Sequence, residues 1–379
     1  MAGPARSRVG IGVILLGAAF GYGAGVVGPA AAPVAHEFGV SLAEAGLMTS
    51  VFFLAIAAFS LVGSAAEERL GIPWSARLAS ISMGLGGVIS AIAPAFAVML
   101  VGRAFTGLGT GIALIACPVI ARALGSVLLL GVYGGGITGG LAAALLVGGE
   151  LAEASVDWRV NFGISAAVGL AALPFLFGDM PAVQHMRRVG AAGVKKLLAG
   201  WRFWWADALF VFVNAMPIIV GAWLLQYLTI HHGIGPGIAG ALGFVLFGVM
   251  AVARPLSGKL AGSRSRRFRL SAVGPALAGA GLLALVLDRT EGVAAVGIVA
   301  LGIGFGLPFA VAYQRIEGLI EGNPALGLAV GLQGVNFAAI VVVPIVGAAL
   351  EHGYGRLSFL LLAAYCALVA VMNFMYRRD

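Results

Sequence analysis

Long stretches of this chain have no polar face. Apolar residues run almost unbroken through about twelve segments, near 9–31, 43–65, 76–95, 97–117, 124–148, 160–178, 204–229, 237–257, 270–287, 293–313, 326–349 and 357–376. Each is close to the roughly 20 residues that cross a hydrocarbon core as a helix. A helix half-exposed to water carries a polar stripe. Segments apolar on every side predict helices surrounded by lipid and by one another. A closed β-barrel is the other way to satisfy the backbone in a bilayer, but its strands alternate apolar and polar residues over about ten positions. That alternation is missing, so the pattern predicts an all-α membrane protein.

Composition agrees. Hydrophobic residues make up 61% of the 379 and charged residues 10%, against roughly 25% charged in a soluble domain. The first apolar run follows Arg6 and Arg8 and lacks a signal-peptide cleavage site, so it is expected to be a span. Lys and Arg in the connecting loops set the orientation. With the N-terminus inside, the inner loops hold Arg69, Arg77, Arg122, Arg187, Arg188, Lys195, Lys196, Arg202, Lys259, Arg264, Arg266, Arg267, Arg269 and Arg315, with Arg377 and Arg378 at the end. The outer loops hold Arg159, Arg289 and Arg356. Both termini are therefore expected in the cytoplasm, and the chain in the plasma membrane. This bias accounts for the formal charge of +8, so no nucleic-acid partner is expected. Cys117 and Cys366 lie in or beside apolar segments and read as small buried hydrophobes. His36, His185, His231, His232 and His352 are dispersed over loops. Neither a metal site nor a cofactor is expected.

The chain compares with itself at a shift of 195 residues. Gly63 falls on Gly258; Gly107, Gly109 and Gly111 fall on Gly302, Gly304 and Gly306; Gly136 and Gly139 fall on Gly331 and Gly334. Three sites in phase on equivalent segments predict a duplicated six-helix bundle: residues 1–178, a basic cytoplasmic linker at 179–203, and residues 204–379. Transporters are commonly built from such repeats, with substrate bound near the bilayer midplane. Glycine at this density also lets helices pack closely.

Four local patterns give the duplication a family resemblance. "GSAAEERLG" at 63–71 has a glycine, the acid–base pair Glu68–Arg69, and Gly71. Residues 103–109 run Arg103, two residues, Thr106, Gly107, one residue, Gly109. "GVYGGGITGG" at 131–140 fits G-x-x-x-G-P-x-x-G-G except that Gly136 replaces the proline, and "DWRVNFG" follows at 157–163. In this order the chain resembles the major facilitator superfamily, whose fold is two pseudo-symmetric bundles of six helices. The resemblance implies gating by Glu68 and Arg69 with Gly63 and Gly71, and helix packing by Gly107, Gly109, Gly135, Gly139 and Gly140. It also implies a monomer. The second-half copy of the loop pattern has Gly262 in place of an acid, so the paired latch belongs to the first half. The fifth-helix pattern is associated in that family with exchangers and drug/proton exporters.

Candidate chemistry is sparse. Arg103 stands in an apolar run with no acid for thirty residues on either side. Such a cation faces a wet cavity, meets a partner, or snorkels. The resemblance links it to proton coupling. Arg254, in "AVARPLSGK", is either an anion ligand or an inner-end snorkelling residue. Nitrate/nitrite porters of the superfamily pair a similar arginine with one in helix two, which is absent here. Asp207 opens the seventh span; it either complements the helix dipole or carries a proton. Tyr22, Thr106, Thr138, Asn214, Gln226, Gln333 and Asn336 are the uncharged polar residues available to line one substrate cavity, or to act as interhelical hydrogen bonders.

A channel needs a continuous polar lining or a filter loop, and a membrane enzyme needs a nucleophile with a base, or a metal; neither pattern is visible. Secondary transport by alternating access is the expectation. Proton-coupled efflux of an amphipathic compound leads, followed by uptake or exchange of a small anion or organic acid, and then by a sensor on a transporter scaffold.

Overall fold

The computed structural model describes residues 4–124, 127–177, 195, 197–319 and 324–375; of residues 4–7, 60–70, 122, 127, 128, 130, 131, 324–326 and 329 it describes the backbone alone. The described residues contain helices and no strand. They divide into two compact units, Met1–Met186 and Arg187–Asp379.

Unit 1 begins with α1 (Pro4–Gly25) and α2 (Val27–Phe38). These form one rod: Val26 between them keeps helical angles, and its N–H bonds Tyr22 O at 2.9 Å. The break falls three residues before Pro29, which lacks an N–H for the carbonyl of Gly25 and disturbs the turn it follows. Gly39, at φ +62°, ends the rod. Next comes α3 (Leu42–Leu70), opened by a capping box in which Glu44 N bonds Ser41 Oγ while Ser41 N reaches back to Glu44 Oε2. Gly71, at φ +76°, separates α3 from α4 (Ile72–Ala91). The unit is completed by α5 (Phe96–Ala123), α6 (Val127–Glu153) and α7 (Arg159–Ala171), the last running into a 3-10 turn at Leu173–Phe177.

Unit 2 holds α8 (Trp201–Tyr227), closed by a π-helical turn at Leu228–His232, then α9 (Pro236–Leu260) and α10 (Arg264–Leu287). The tenth expected span is broken into α11 (Glu291–Gly306) and α12 (Phe309–Glu317) around Pro308, and α13 (Pro324–Glu351) and α14 (Gly355–Met375) follow. Eleven helical segments among the described residues are long and apolar enough to cross a membrane. The remaining expected span, α4, is 20 residues long and more polar. Its Ser75, Ser80, Ser82 and Ser90 are buried. Ser80 Oγ donates to Gly169 O of α7 and Ser82 Oγ to Phe105 O of α5, both at 2.7 Å. Ser80 and Ser82 thus bond neighbouring helices, which suits a helix inside a bundle.

The repeat seen in the sequence recurs as contacts within each unit. A Cβ on Gly109 would lie 2.6 Å from Ala79 O and 2.8 Å from Met83 N of α4. In unit 2 a Cβ on Gly304 would lie 2.7 Å from Gly274 O and 2.6 Å from Ala278 N of α10, the residues at the same shift of 195. Gly107 faces Phe52 O of α3 and Gly302 faces Leu246 O of α9 in the same manner, at 2.2 and 2.7 Å. The α4–α5 seam and the α10–α11 seam are one packing solution used twice.

Candidate functional site

In unit 1 the missing side chain at Gly107 lets α3 lie against α5, and Arg103, one turn earlier, extends along the α3 backbone. Its Nε donates to Met48 O at 3.0 Å, and its guanidinium carbon lies 4.7 Å from the centre of the Phe52 ring. Arg103 is 1% exposed and its Nη2 has no hydrogen-bond partner. Among the described residues no carboxylate forms an ion pair with it. The side chain is therefore anchored on a neighbouring helix's carbonyl, with one N–H-bearing nitrogen uncommitted.

The uncharged polar candidates of this unit are hydrogen-bonded within their own helix or to a neighbour. Thr106 Oγ1 donates back to Gly102 O, and Thr138 Oγ1 to Gly134 O, each at 3.0 Å. Such bonds to the preceding turn satisfy a hydroxyl locally. Thr106 also fills the space left by Gly23 of α1 and Gly86 of α4. Tyr22 OH donates to Asn161 Oδ1 of α7 at 2.6 Å. Tyr22, Thr106 and Thr138 thus each bond their own turn or a neighbouring helix, the hydrogen-bonding role that the sequence offered beside cavity lining.

Unit 2 brings more of its candidates together. Arg254 of α9 donates from Nη2 to Val213 O of α8 at 3.1 Å and stacks on Phe309 of α12 at 4.3 Å. Phe309 packs on Tyr313, and Tyr313 on Phe210, with ring centres 4.4 and 4.8 Å apart. Tyr313 OH donates to Asn214 Oδ1 at 3.4 Å, and Asn214 Nδ2 donates to Phe210 O. Arg254 and Asn214 are thus joined through aromatic rings of α8 and α12. Gln226 is buried three turns further along α8, near Trp223, which donates to Val343 O. On α13, Asn336 is buried and Gln333 half-buried.

Asp207 is not where the sequence placed it. Because α8 begins at Trp201, the carboxyl lies beyond the first turn, which contains no acid, and the residue is 5% exposed. The helix-dipole explanation is thereby lost. Its carboxyl lies against Gly331 and Gly334 of α13. A second correction concerns α6. A Cβ on Gly135 or Gly139 would meet nothing within 4 Å, whereas one on Gly136 would lie 2.9 Å from Ile14 O and one on Gly140 2.2 Å from Ala18 O. Of the four glycines at 135, 136, 139 and 140, the ones that pack on α1 are Gly136 and Gly140. Gly63 and the Glu68 and Arg69 side chains lie outside the described residues.

The sequence model of the Major Facilitator Superfamily matches residues 13–321. The chain belongs to the major facilitator superfamily. With its eleven described spanning segments it is a multi-pass membrane protein. The plastidic glucose transporter 4 of Arabidopsis thaliana is 29% identical over 177 residues, which are 43% of this chain and 32% of that protein. The chain thus spans about a third of the length of this curated relative. A bacterial homologue of the human lysosomal transporter Spinster, solved inward-facing and unoccupied, superposes with a TM-score of 0.82 at 19% identity over 100% of this chain and 98% of that one. A D-xylose–proton symporter gives 0.81 at 15% over 98% and 97%. At these identities the structural likeness carries the fold.

The superfamily fold also shows what the "DWRVNFG" pattern does here. Arg159 grips Glu37 at the end of α2 with both guanidinium arms, at 2.6 and 2.7 Å, and donates to Ala93 O beyond α4. Trp158 Nε1 shares Glu37 Oε2 at 2.7 Å, and its ring packs against Phe38 and Phe162. Arg159 thus ties three helix ends, two of them through the Glu37 carboxylate. The Arg159 bonds hold the Glu37 carboxyl below its ordinary range. Glu37, Asn161 and Tyr313 were missed in the sequence, because their partners lie about 100 residues or more away along the chain. No group of three potential metal ligands occurs among the described residues.

Proposed function

We propose that this superfamily member is a secondary transporter, rather than an enzyme, that moves a small amphipathic organic compound outward by alternating access, against a counterflow of protons. The observation that carries the reading is the family match over 13–321. The apolar character of the spans supports an amphipathic solute, and the fifth-helix pattern at 131–140 supports exchange. A site in the plasma membrane with both termini cytoplasmic is supported by the basic inner loops, and one polypeptide is taken as the working unit.

A second reading, uptake or exchange of a small anion or organic acid, is favoured by one observation: Arg103 is a buried cation with an uncommitted Nη2 and, among the described residues, no paired carboxylate. The names of the glucose transporter and the xylose symporter add neutral sugars to the solutes worth testing.

The test uses purified protein in liposomes that enclose a pH-sensitive dye. Amphipathic cations, small organic anions and neutral sugars are added in turn. Proton movement with an amphipathic compound is the expected result. A response to anions alone moves the assignment to the second reading, and silence to every class overturns proton coupling.

A further inference from the structure

This inference rests on the transport reading and deepens it by naming where the coupling proton binds. Asp207 is 5% exposed, and its Oδ1 has no hydrogen-bond partner. The carboxyl occupies a notch in α13 that exists because two residues there lack side chains. A Cβ on Gly334 would lie 2.6 Å from Asp207 Oδ2, and one on Gly331 would lie 3.3 Å from Oδ1. Ile316 of α12 and Phe210 of α8 border the same notch, at 3.0 and 3.2 Å from the Gly331 position.

The ionisable groups on the helices packed around α8 are bonded to other residues, lie at helix ends or are buried thiols. On α12, Tyr313 bonds Asn214, Arg315 bonds Asn373 and Ser271, and Glu317 ends the helix. Tyr365 of α14 lies near Asp207, and its hydroxyl donates to Ala208 O at 2.9 Å; Cys366 beside it is buried. Arg254 of α9 is held by Val213 O and Phe309. The acid nearest on α11 is Glu291 at its start, and on the described part of α13 it is Glu351 at its end. None of these forms an ion pair with Asp207. At the shift of 195, Gly12 stands in unit 1 where Asp207 stands in unit 2, and it packs against Leu176. The acid is a departure from the repeat at one particular seam.

An ionised carboxylate without a donor is expensive in such surroundings, and a neutral one far less so. We propose that Asp207 is the coupling proton site: its carboxyl takes up one proton and rests neutral in the Gly331–Gly334 notch, and on losing the proton it leaves the notch for water and loosens α13 from α8. The proton goes to and from solvent, and no other group is altered.

The test is substrate-free. Infrared difference spectra of the full chain in lipid, acid minus alkaline, are expected to show a buried protonated-carboxyl band that Asp207→Asn removes. Hydrogen exchange at 327–337 is expected to quicken with rising pH in the wild type and to become pH-independent in Asp207→Asn. Gly334→Ala, which fills the notch, is expected to lose or displace the same band. A band that persists in Asp207→Asn, or exchange that keeps its pH dependence there, overturns the proposal. Solute-driven proton flux unchanged in Asp207→Asn overturns the site and leaves the transport reading standing. A lost band and altered exchange, with no solute moving protons, overturn that reading and leave the site standing.

Discussion

At the scale of single residues, a buried charge in this chain is either anchored or waiting for a partner. Arg103 is partly both: Nε and the ring of Phe52 hold it, and Nη2 is uncommitted. A buried charge without an ionic partner carries a desolvation cost that an apolar residue of similar volume does not. Arg103→Met is therefore expected to keep its thermal midpoint or raise it, while solute flux falls by roughly tenfold or more, the scale of one charged hydrogen bond. Arg103→Lys is expected not to restore the flux, because a point charge cannot bond Met48 O and stack on Phe52 together. Flux and stability measured side by side decide this; unchanged flux in Arg103→Met would leave the residue a packing element. The presence of Arg103 was legible in the sequence because one cation in an apolar run is conspicuous. The surroundings of Asp207 were not, since they depend on α8 beginning three residues before the expected span and on two glycines more than 120 residues away.

At the scale of helices, close packing is set by which glycine faces which backbone. On α6 the sequence shows glycines at positions 135, 136, 139 and 140 without distinguishing their faces. Gly140→Ala would press a Cβ to 2.2 Å from Ala18 O, and a backbone atom gives way poorly. It is expected to destabilise by about 1–3 kcal/mol. Gly135→Ala meets nothing within 4 Å and is expected to stabilise by about 0.5–1 kcal/mol through helix propensity. Equal effects in thermal unfolding would contradict this assignment of faces. The clamp at Glu37 has a pH signature. Because the Arg159 bonds lower its proton affinity in the folded protein, its contribution is complete above the ordinary carboxylate range and disappears as the pH falls through the lowered folded value. Glu37→Gln is expected to be less stable than wild type by about 0.5 kcal/mol at neutral pH, solvent screening included, and the two melting curves should converge in acid. A difference that widens on acidification would refute the clamp.

At the scale of the whole molecule, the sequence announced the architecture by two routes, apolar segments of spanning length and glycines in phase at 195 residues. Both were readable because lipid and close helix contact constrain residue types strongly. The kinked and broken rods were less so: α1–α2 continues to Phe38, past the expected end at 31, and Pro308 splits the tenth span. The polar residues carried least information, since a threonine bonded to its own turn and one lining a cavity look alike in a sequence. The central claim is that a proton gradient drives solute movement through this protein. The measurement that meets it most directly is accumulation of a labelled amphipathic compound in liposomes carrying the purified chain, under an imposed pH gradient. Accumulation against the solute's own gradient, abolished when the pH gradient is collapsed, is the expected result. Equilibration without accumulation, or accumulation indifferent to the pH gradient, would contradict it.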